Sequence, residues 1–472
     1  MDRPAFWGIY MVNFIFFIGI SHAGTLISAI LRVTGAEWRR PITRVAEAIT
    51  AFALIVGTLQ IIIDMGRPDR LISVIFFGRL QSPILWDVVS VTVYFLGSVF
   101  YLYLPLIPDA AILRDNCPDH APTWQKRLYS ILALGWRGNR EQWIRLEKAI
   151  AVMAVFIIPV AISVHSIISW ILATTVQPGW HSSIFGPYFV VGAIFSGIGA
   201  LFIAMTAVRK ILGLEAYITL RQYRNLGLLF LTMNGVWFYF TYAEHLSIAA
   251  GQLVDEFPVL ASKLWGIFAP GFWVMVVLIG LAFWVLFVPQ LLPVSATRNR
   301  ILKPRTALAL GTGSVAMFIF LVAPQTNPIT ASLIEPAPRA FGWIVCIVLL
   351  FAAVVAIGPW LKSNFVTATV IASFFVLIGM WLERWNIILP TVTHPRLIPY
   401  SIYRPTLTEF SLTAASLALF MLMFLVFFRL FPAVSIWEIA EGRVIEEAQA
   451  QVAIPAPEPT ETRRLRKWGF RK

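Results

Sequence analysis

Charge is scarce in this chain and cysteine nearly absent. Charged residues make up 13% of the 472 positions, and the two cysteines, Cys117 and Cys346, lie far apart, one in a polar loop and one in an apolar run. They form no CxxC pair, and neither an iron–sulfur framework nor a disulfide can be built from them. Histidine is sparse too, at six residues. His120, His181 and His394 fall in loops, while His22, His165 and His245 sit in apolar runs at unequal depths. A bis-histidine haem needs facing ligands at matching depths, so none is expected, and any metal cluster is expected on another chain. What the sequence does hold is apolar: 58% of residues are hydrophobic and the mean hydropathy is +0.77. That excludes a soluble globular domain and fits a polytopic membrane protein, in which each span needs roughly 20 mostly apolar residues. The net charge of +13 does not describe a nucleic-acid surface, because the basic residues lie in loops between the apolar runs.

Eleven apolar runs read as spans, roughly 6–33, 45–65, 84–106, 149–175, 187–212, 224–250, 264–290, 306–324, 340–358, 364–384 and 406–430. Long unbroken runs exclude a barrel and leave an all-α polytopic membrane protein, since backbone groups in lipid must be bonded within each segment. The first run lacks a basic leader and a small-residue cleavage site, so it reads as a true span rather than a signal peptide. Allotting the loops alternately to two sides puts 28 of the 37 lysines and arginines on one side. That side is expected to be cytoplasmic, with the N-terminus outside and the C-terminus inside. The expected organisation is a membrane core over 1–290, two additional spans in 291–363, two last spans in 364–432 and a cytoplasmic tail over 433–472. The loop at about 107–148 is too short for a domain and is expected to form interfacial helices. The tail offers a candidate helix, SIWEIAEGRVIEEAQAQ, a Pro-rich linker and a basic aromatic end suited to anionic lipid or a partner.

Polar residues inside the spans carry the chemistry, because each costs free energy unless it is paired, hydrated or used. Asp64 and Asp87 stand at the lips of a helical hairpin, IIIDMGRPDR followed by SPILWDV, with Arg67 and Arg70 close by. Asp64 could pair with an arginine and Asp87 could cap a helix, but two carboxylates at one depth on adjacent helices favour function. His22 lies about sixteen residues into the first span, roughly 24 Å deep, flanked by small residues, with Asn13 nearer the outer surface. His165 shares a helix face with Ser169. The sixth span carries Tyr239, Tyr242, Glu244 and His245, where sequence neighbours point about 100° apart. The outer half therefore collects proton-exchanging side chains, as a quinol, a proton or an ion would require. The inner half is poorer, with Glu47 and Tyr94 among the few groups able to extend a proton route. A transporter would need a polar path through both leaflets, and the crowding of one half argues against it.

Several stretches resemble the NrfD/PsrC family of integral membrane quinone-reactive subunits, most strongly its ActC branch in bacterial alternative complex III. They are GISHAGTLISAIL (19–31), the MGRP after Asp64, SPILWDV (82–88), LPLIPDAAILRD (104–115), LALGWRG (132–138), HSSIFGPYFVVGAIFSGI (181–198), TYAEHLS (241–247) and GMWLERWNIILP (379–390). The resemblance implies a core of two four-helix bundles, built from the first seven spans and the GMWLER helix. It implies oxidation of a quinol, menaquinol or ubiquinol, at the periplasmic face of a bacterial inner membrane. It also implies an extrinsic iron–sulfur subunit as electron acceptor, with c-type cytochromes and a second NrfD-like membrane subunit as further partners. Asp87 falls on the family's quinol-ligating carboxylate. The position before MGRP is commonly histidine in the family and is Asp64 here. The polar residues of the spans and the resemblance together give an expected site with Asp87, Asp64, His165 and Glu244 in catalysis, and His22, Asn13, Tyr242, His245 and Arg67 completing the quinol pocket. The alternatives are a quinone-reducing anchor of a molybdopterin complex and a proton or ion transporter.

Overall fold

The structure is a computed structural model that describes residues 8–118, 121–291, 336–394 and 403–442. The predicted span at 306–324, His120, the side chain of Cys346 and the basic end of the tail lie outside the described residues. Among the described residues every regular element is a helix: α1 (Ile9–Val33), α2 (Thr43–Asp64), α3 (Leu71–Phe77), α4 (Pro83–Tyr103), α5 (Leu106–Asp115), α6 (Thr123–Leu132), α7 (Arg140–Ala173), α8 (Phe185–Ile211), α9 (Leu220–Gly251), α10 (Phe257–Leu264), α11 (Ala269–Leu291), α12 (Pro336–Ser363), α13 (Phe365–Thr393) and α14 (Leu407–Leu430). Nine of these are long and apolar enough to cross a membrane: α1, α2, α4, α7, α8, α9, α11, α13 and α14. The predicted run at 340–358 is helical as part of α12, and the loop at 107–148 holds the two short helices α5 and α6.

The helices begin where the sequence supplies partners for the first free N–H groups. Asn139 with Gln142, Thr219 with Gln222 and Thr406 with Glu409 form capping boxes at the starts of α7, α9 and α14. Each side chain bonds the other residue's backbone, so two orphan donors are satisfied at once.

Two four-helix groups emerge from the packing. The first is α1, α2, α4 and α7, and the second is α8, α9, α11 and α13. Helix α1 is the common element, lying against α2 and α7 in its own group and against α8 and α13 in the other. In lipid, close helix approach depends on small residues at the seam. Gly24 is such a point: a Cβ there would collide with the Ala46 carbonyl oxygen and Thr50 Oγ1 of α2. Gly24→Ala is therefore expected to push α1 from α2 and cost about 1–3 kcal/mol, as overpacking does. A melting temperature of the detergent-solubilised variant equal to the parent's would show that this approach is not required.

Outside the two groups, α12 packs against α11, and α14 lies along α2 with most of its apolar surface, including Met421, Leu422, Leu425 and Val426, exposed towards lipid. Antiparallel tracing puts the hairpin between α2 and α4 at one end of the bundle. The end of α1, the starts of α2 and α7, and a short helix over 436–442 lie at the other. These are called the hairpin end and the tail end below.

Candidate functional site

At the hairpin end, Asp87 occupies the first turns of α4, and its Oδ1 is buried with no hydrogen-bond partner among the described residues. It does not cap the helix. An unpartnered buried carboxylate oxygen is expensive and needs a donor. Asp64 ends α2, half-exposed, within electrostatic reach of Glu409 and the Tyr10 phenol rather than of Asp87. The two aspartates thus share a depth but are not joined by a bond or ion pair among the described residues. Arg67 corrects another expectation: it turns outward and pairs with Asp69 at 2.9 Å, reaching neither lip carboxylate. Asn13 is a packing node. Its amide donates to Thr413 Oγ1 at 2.8 Å and its carbonyl oxygen accepts from the Trp381 indole at 3.0 Å, which ties α1 to α13 and α14.

Below Asp87 the inward face of α4 carries Ser90, Tyr94, Ser98 and Tyr101, at helical spacings of three and four that keep them on one stripe. The Tyr94 hydroxyl donates to the Ser21 carbonyl at 3.0 Å, and Thr50 Oγ1 donates to the same oxygen at 2.7 Å. Tyr101 lies 3.4 Å from Ser28 Oγ, which donates to Glu47 at 2.9 Å. One turn further along α1, Arg32 pairs with Glu438 of the tail. Glu47 and Tyr94, the groups expected to extend a proton route, thus both lie on this line, with Ser28, Thr50 and Tyr101 beside them. Single polar residues scattered over α1, α2 and α4 converge on one seam, a convergence that no single helix displays in its own sequence.

His22 and His165 meet at the middle of this line, with ring centroids 4.0 Å apart, and Tyr94 lies 5.0 Å from His22. Their expected unequal depths are corrected by the antiparallel register of α1 and α7, which makes them neighbours. His22 Nδ1 lies 2.8 Å from the Ile18 carbonyl oxygen, and its Nε2 faces the Ala161 carbonyl. A neutral imidazole has one N–H, so this ring is one donor short of its two acceptors. His165 is fully buried, and neither ring nitrogen has a partner among the described residues. The pair can hold and pass a proton, and His165 can bond a hydroxyl or a water.

The second four-helix group supplies a charge pair from within the GMWLER stretch. Glu383 and Arg384 of α13 form a salt bridge, both about 1% exposed. Glu383 also accepts from the Trp237 indole at 2.8 Å, and the Arg384 guanidinium lies 5.1 Å from the Phe189 ring. Arg384 fits because Gly192 has no side chain: a Cβ there would come within 2.9 Å of Nη2. Neither residue is among the expected site residues. The signal for them is a Glu-Arg dipeptide inside an apolar run, a combination that is rare unless functional or paired.

Glu244 and His245 form a third group, away from Asp87. Ser182 donates to the Glu244 carboxylate, and the two line a cleft of about 430 Å³ with His181, Ser247 and Glu256. Behind it a small cavity of about 20 Å³, room for roughly one water, is bordered by Glu244, His245, Lys263, Tyr188, Glu383 and Asn386. Both Glu244 and His245 border this cavity, although neighbours in sequence diverge on a helix, because it is enclosed by α8, α10, α11 and α13 around that end of α9. Lys263 on α10 joins them without any sequence signal that sets it apart from a loop lysine. Burial draws its ammonium down to about 8, and the Glu244 carboxylate partly opposes that shift. Tyr242 is corrected: it is 67% exposed, on the opposite side of α9 from Glu244. The expected site thus resolves into a lip at Asp87, a central histidine pair and a separate Glu244 cleft. Among the described residues no three His, Cys, Asp or Glu side chains gather in a way that could hold a metal ion.

Comparisons with known proteins agree with this architecture. The chain is 29% identical over 198 residues to a protein of Halobacterium salinarum described as a putative membrane subunit of dimethyl sulfoxide reductase, covering 42% of each chain. It is 24% identical over 204 residues to a selenate reductase subunit of Mesobacillus selenatarsenatis, covering 40% of this chain and 46% of that one. It is 24% identical over 199 residues to an Hdr-like menaquinol oxidoreductase integral membrane subunit of Archaeoglobus fulgidus, covering 41% and 40%. The matched stretches thus span less than half the length of each relative. The family described as polysulphide reductase, NrfD, matches residues 1–330, and with its all-helical, multi-pass membrane architecture this chain belongs to that family.

Proposed function

We propose that this chain is the quinol-binding membrane subunit of an alternative-complex-III-like quinol:electron acceptor oxidoreductase. One observation carries the reading: the buried, unpartnered Oδ1 of Asp87 at the head of a polar file that descends the first four-helix group. A quinol hydroxyl is a donor that this oxygen lacks. Oxidation of the quinol to quinone releases two protons and two electrons. Asp87 accepts the hydrogen bond and then a proton, and His165 with His22 takes protons onward. The electrons leave to an iron–sulfur cluster on an extrinsic partner, and c-type cytochromes and a second NrfD-like membrane protein complete the assembly. Asp64 is the second carboxylate of the lip, and Glu244 with His245 lines a separate proton-exchanging cleft. The excess of basic residues near the tail end supports a periplasmic hairpin end and a cytoplasmic tail in a bacterial inner membrane. The relative named as a menaquinol oxidoreductase subunit favours menaquinol. The file's continuation to Glu47 and Tyr101 supports proton movement through the same helices.

A second reading rests on the two relatives named as reductase subunits: the same fold run in reverse, as a quinone-reducing anchor of a molybdopterin enzyme. The gently solubilised complex decides between them. Our reading expects co-purifying c-type haem that menaquinol reduces within the spectrum of the complex. A molybdopterin subunit as the sole redox partner, with no haem signal, would transfer the assignment to the anchor.

A further inference from the structure

We infer that the segment 435–442 is a plug that closes the tail end of the polar file, with Glu438 as its locking charge. The inference goes beyond the quinol reading and rests only on packing at the tail end. Two elements from the first half of the chain hold this segment in place. Asp109 of α5 accepts from the backbone N–H groups of Ile436 and Trp437 at 3.2 and 3.3 Å, and so caps the start of the short helix. Trp437 is buried, donates its indole N–H to the Pro105 carbonyl at 2.9 Å and lies against Trp143 of α7. The segment is thus held at its start by α5 and on its flank by α7.

Its charged face points into the bundle. Glu438, 1% exposed, pairs with Arg32 at the end of α1 and lies 3.6 Å from Arg39. Arg40 donates to the Glu438 carbonyl at 2.9 Å and pairs with Glu441 at 2.7 Å. Arg44 pairs with Asp109 at 2.5 Å and donates to the Pro432 carbonyl at 3.2 Å. Four arginines, from the end of α1, the turn after it and the start of α2, are therefore satisfied, wholly or partly, through the chain's last described stretch or the carboxylate that caps it. Arg32 stands one turn from Ser28, the residue that bonds Glu47 and meets Tyr101. The plug consequently lies directly beyond the last buried members of the file. Without Glu438, Arg32 and Arg39 would be buried or half-buried cations without this counter-charge, and they would turn towards water. That movement opens the file to the aqueous phase. Because the lock is one carboxylate between two guanidiniums, replacing that one side chain is enough to break it without refolding the bundle.

The test is the accessibility of Ser28. In a background of Cys117→Ser and Cys346→Ser, Ser28→Cys is labelled in the detergent-solubilised complex with a small charged methanethiosulfonate reagent, with monodispersity checked by gel filtration. The parent is expected to label slowly, and truncation after Pro432 to speed labelling about tenfold or more, as release of a local closure does. Should the truncated chain fail to fold, Glu438→Lys is expected to give the same acceleration and the exchange Glu438→Lys with Arg32→Glu to reverse it. Fast labelling of the parent, or equal rates in the parent and Glu438→Lys proteins, overturns the plug. Labelling does not involve quinol chemistry, so its failure leaves the quinol assignment standing, and loss of that assignment leaves this result standing.

Discussion

Asp87→Asn is expected, on the quinol chemistry proposed above, to lower turnover by about 10²–10⁴-fold, the range that a positioned proton acceptor contributes. The substitution keeps the size and the hydrogen-bonding oxygen of the side chain but removes its capacity to take a proton. The quinol hydroxyl would still find a partner, so binding should change less than turnover. The fold should tolerate the change, because Asp87 is in no ion pair and its buried Oδ1 serves no neighbouring donor among the described residues. A neutral amide there also removes a buried charge. The measurement is menaquinol-dependent reduction of the acceptor by the purified complex, alongside its melting temperature. Turnover equal to the parent's removes Asp87 from the mechanism. A parallel fall in turnover and in recovery of the complex would make it a structural residue.

The second large effect belongs to Glu383 and Arg384. Removing one partner of a buried pair strands the other charge, at a cost of about 3–5 kcal/mol. Glu383→Gln leaves the Arg384 guanidinium beside Phe189 with its carboxylate gone, and it weakens the acceptor of the Trp237 indole. Arg384→Gln strands Glu383 instead. Either single variant is expected to reduce the recovery of folded complex severely. Glu383→Gln combined with Arg384→Gln should recover much of the loss, because no net charge is left in the low-dielectric seam. Thermal melts of the three proteins test this, and single variants that melt with the parent would show that the pair is hydrated rather than sealed.

The legibility of the chain follows the range of each interaction. Helices are readable because membrane spans bond their backbones locally and announce themselves as apolar runs. Asp64, Asp87 and Glu244 are visible as isolated costs within such runs. Relationships between helices stay hidden. His22 and His165 look mismatched because depth is counted from uncertain helix ends, and a few residues of error at about 1.5 Å each separates neighbours on paper. Arg67 looks like a partner for Asp64 by proximity, but Asp69 lies nearer along the turn and is equally exposed. Arg384 goes unnoticed because a count of basic residues by side treats every arginine as a loop marker. Glu438 reads as part of a solvated tail, since no local pattern reveals that a charge will be enclosed by arginines from the opposite end of the chain.

That last separation bears on how the protein is made. Helix α1 is translated long before the tail, so Arg32, Arg39 and Arg40 acquire Glu438 and Glu441 only when that distant segment has been synthesised. Until then α1 and the start of α2 carry a cluster of cations without these counter-charges. Unpaired guanidiniums hold on to water, so that rim stays wet. Formation of the 436–442 helix withdraws them from water, so a chain cut before that helix would still display a basic patch that the folded chain hides.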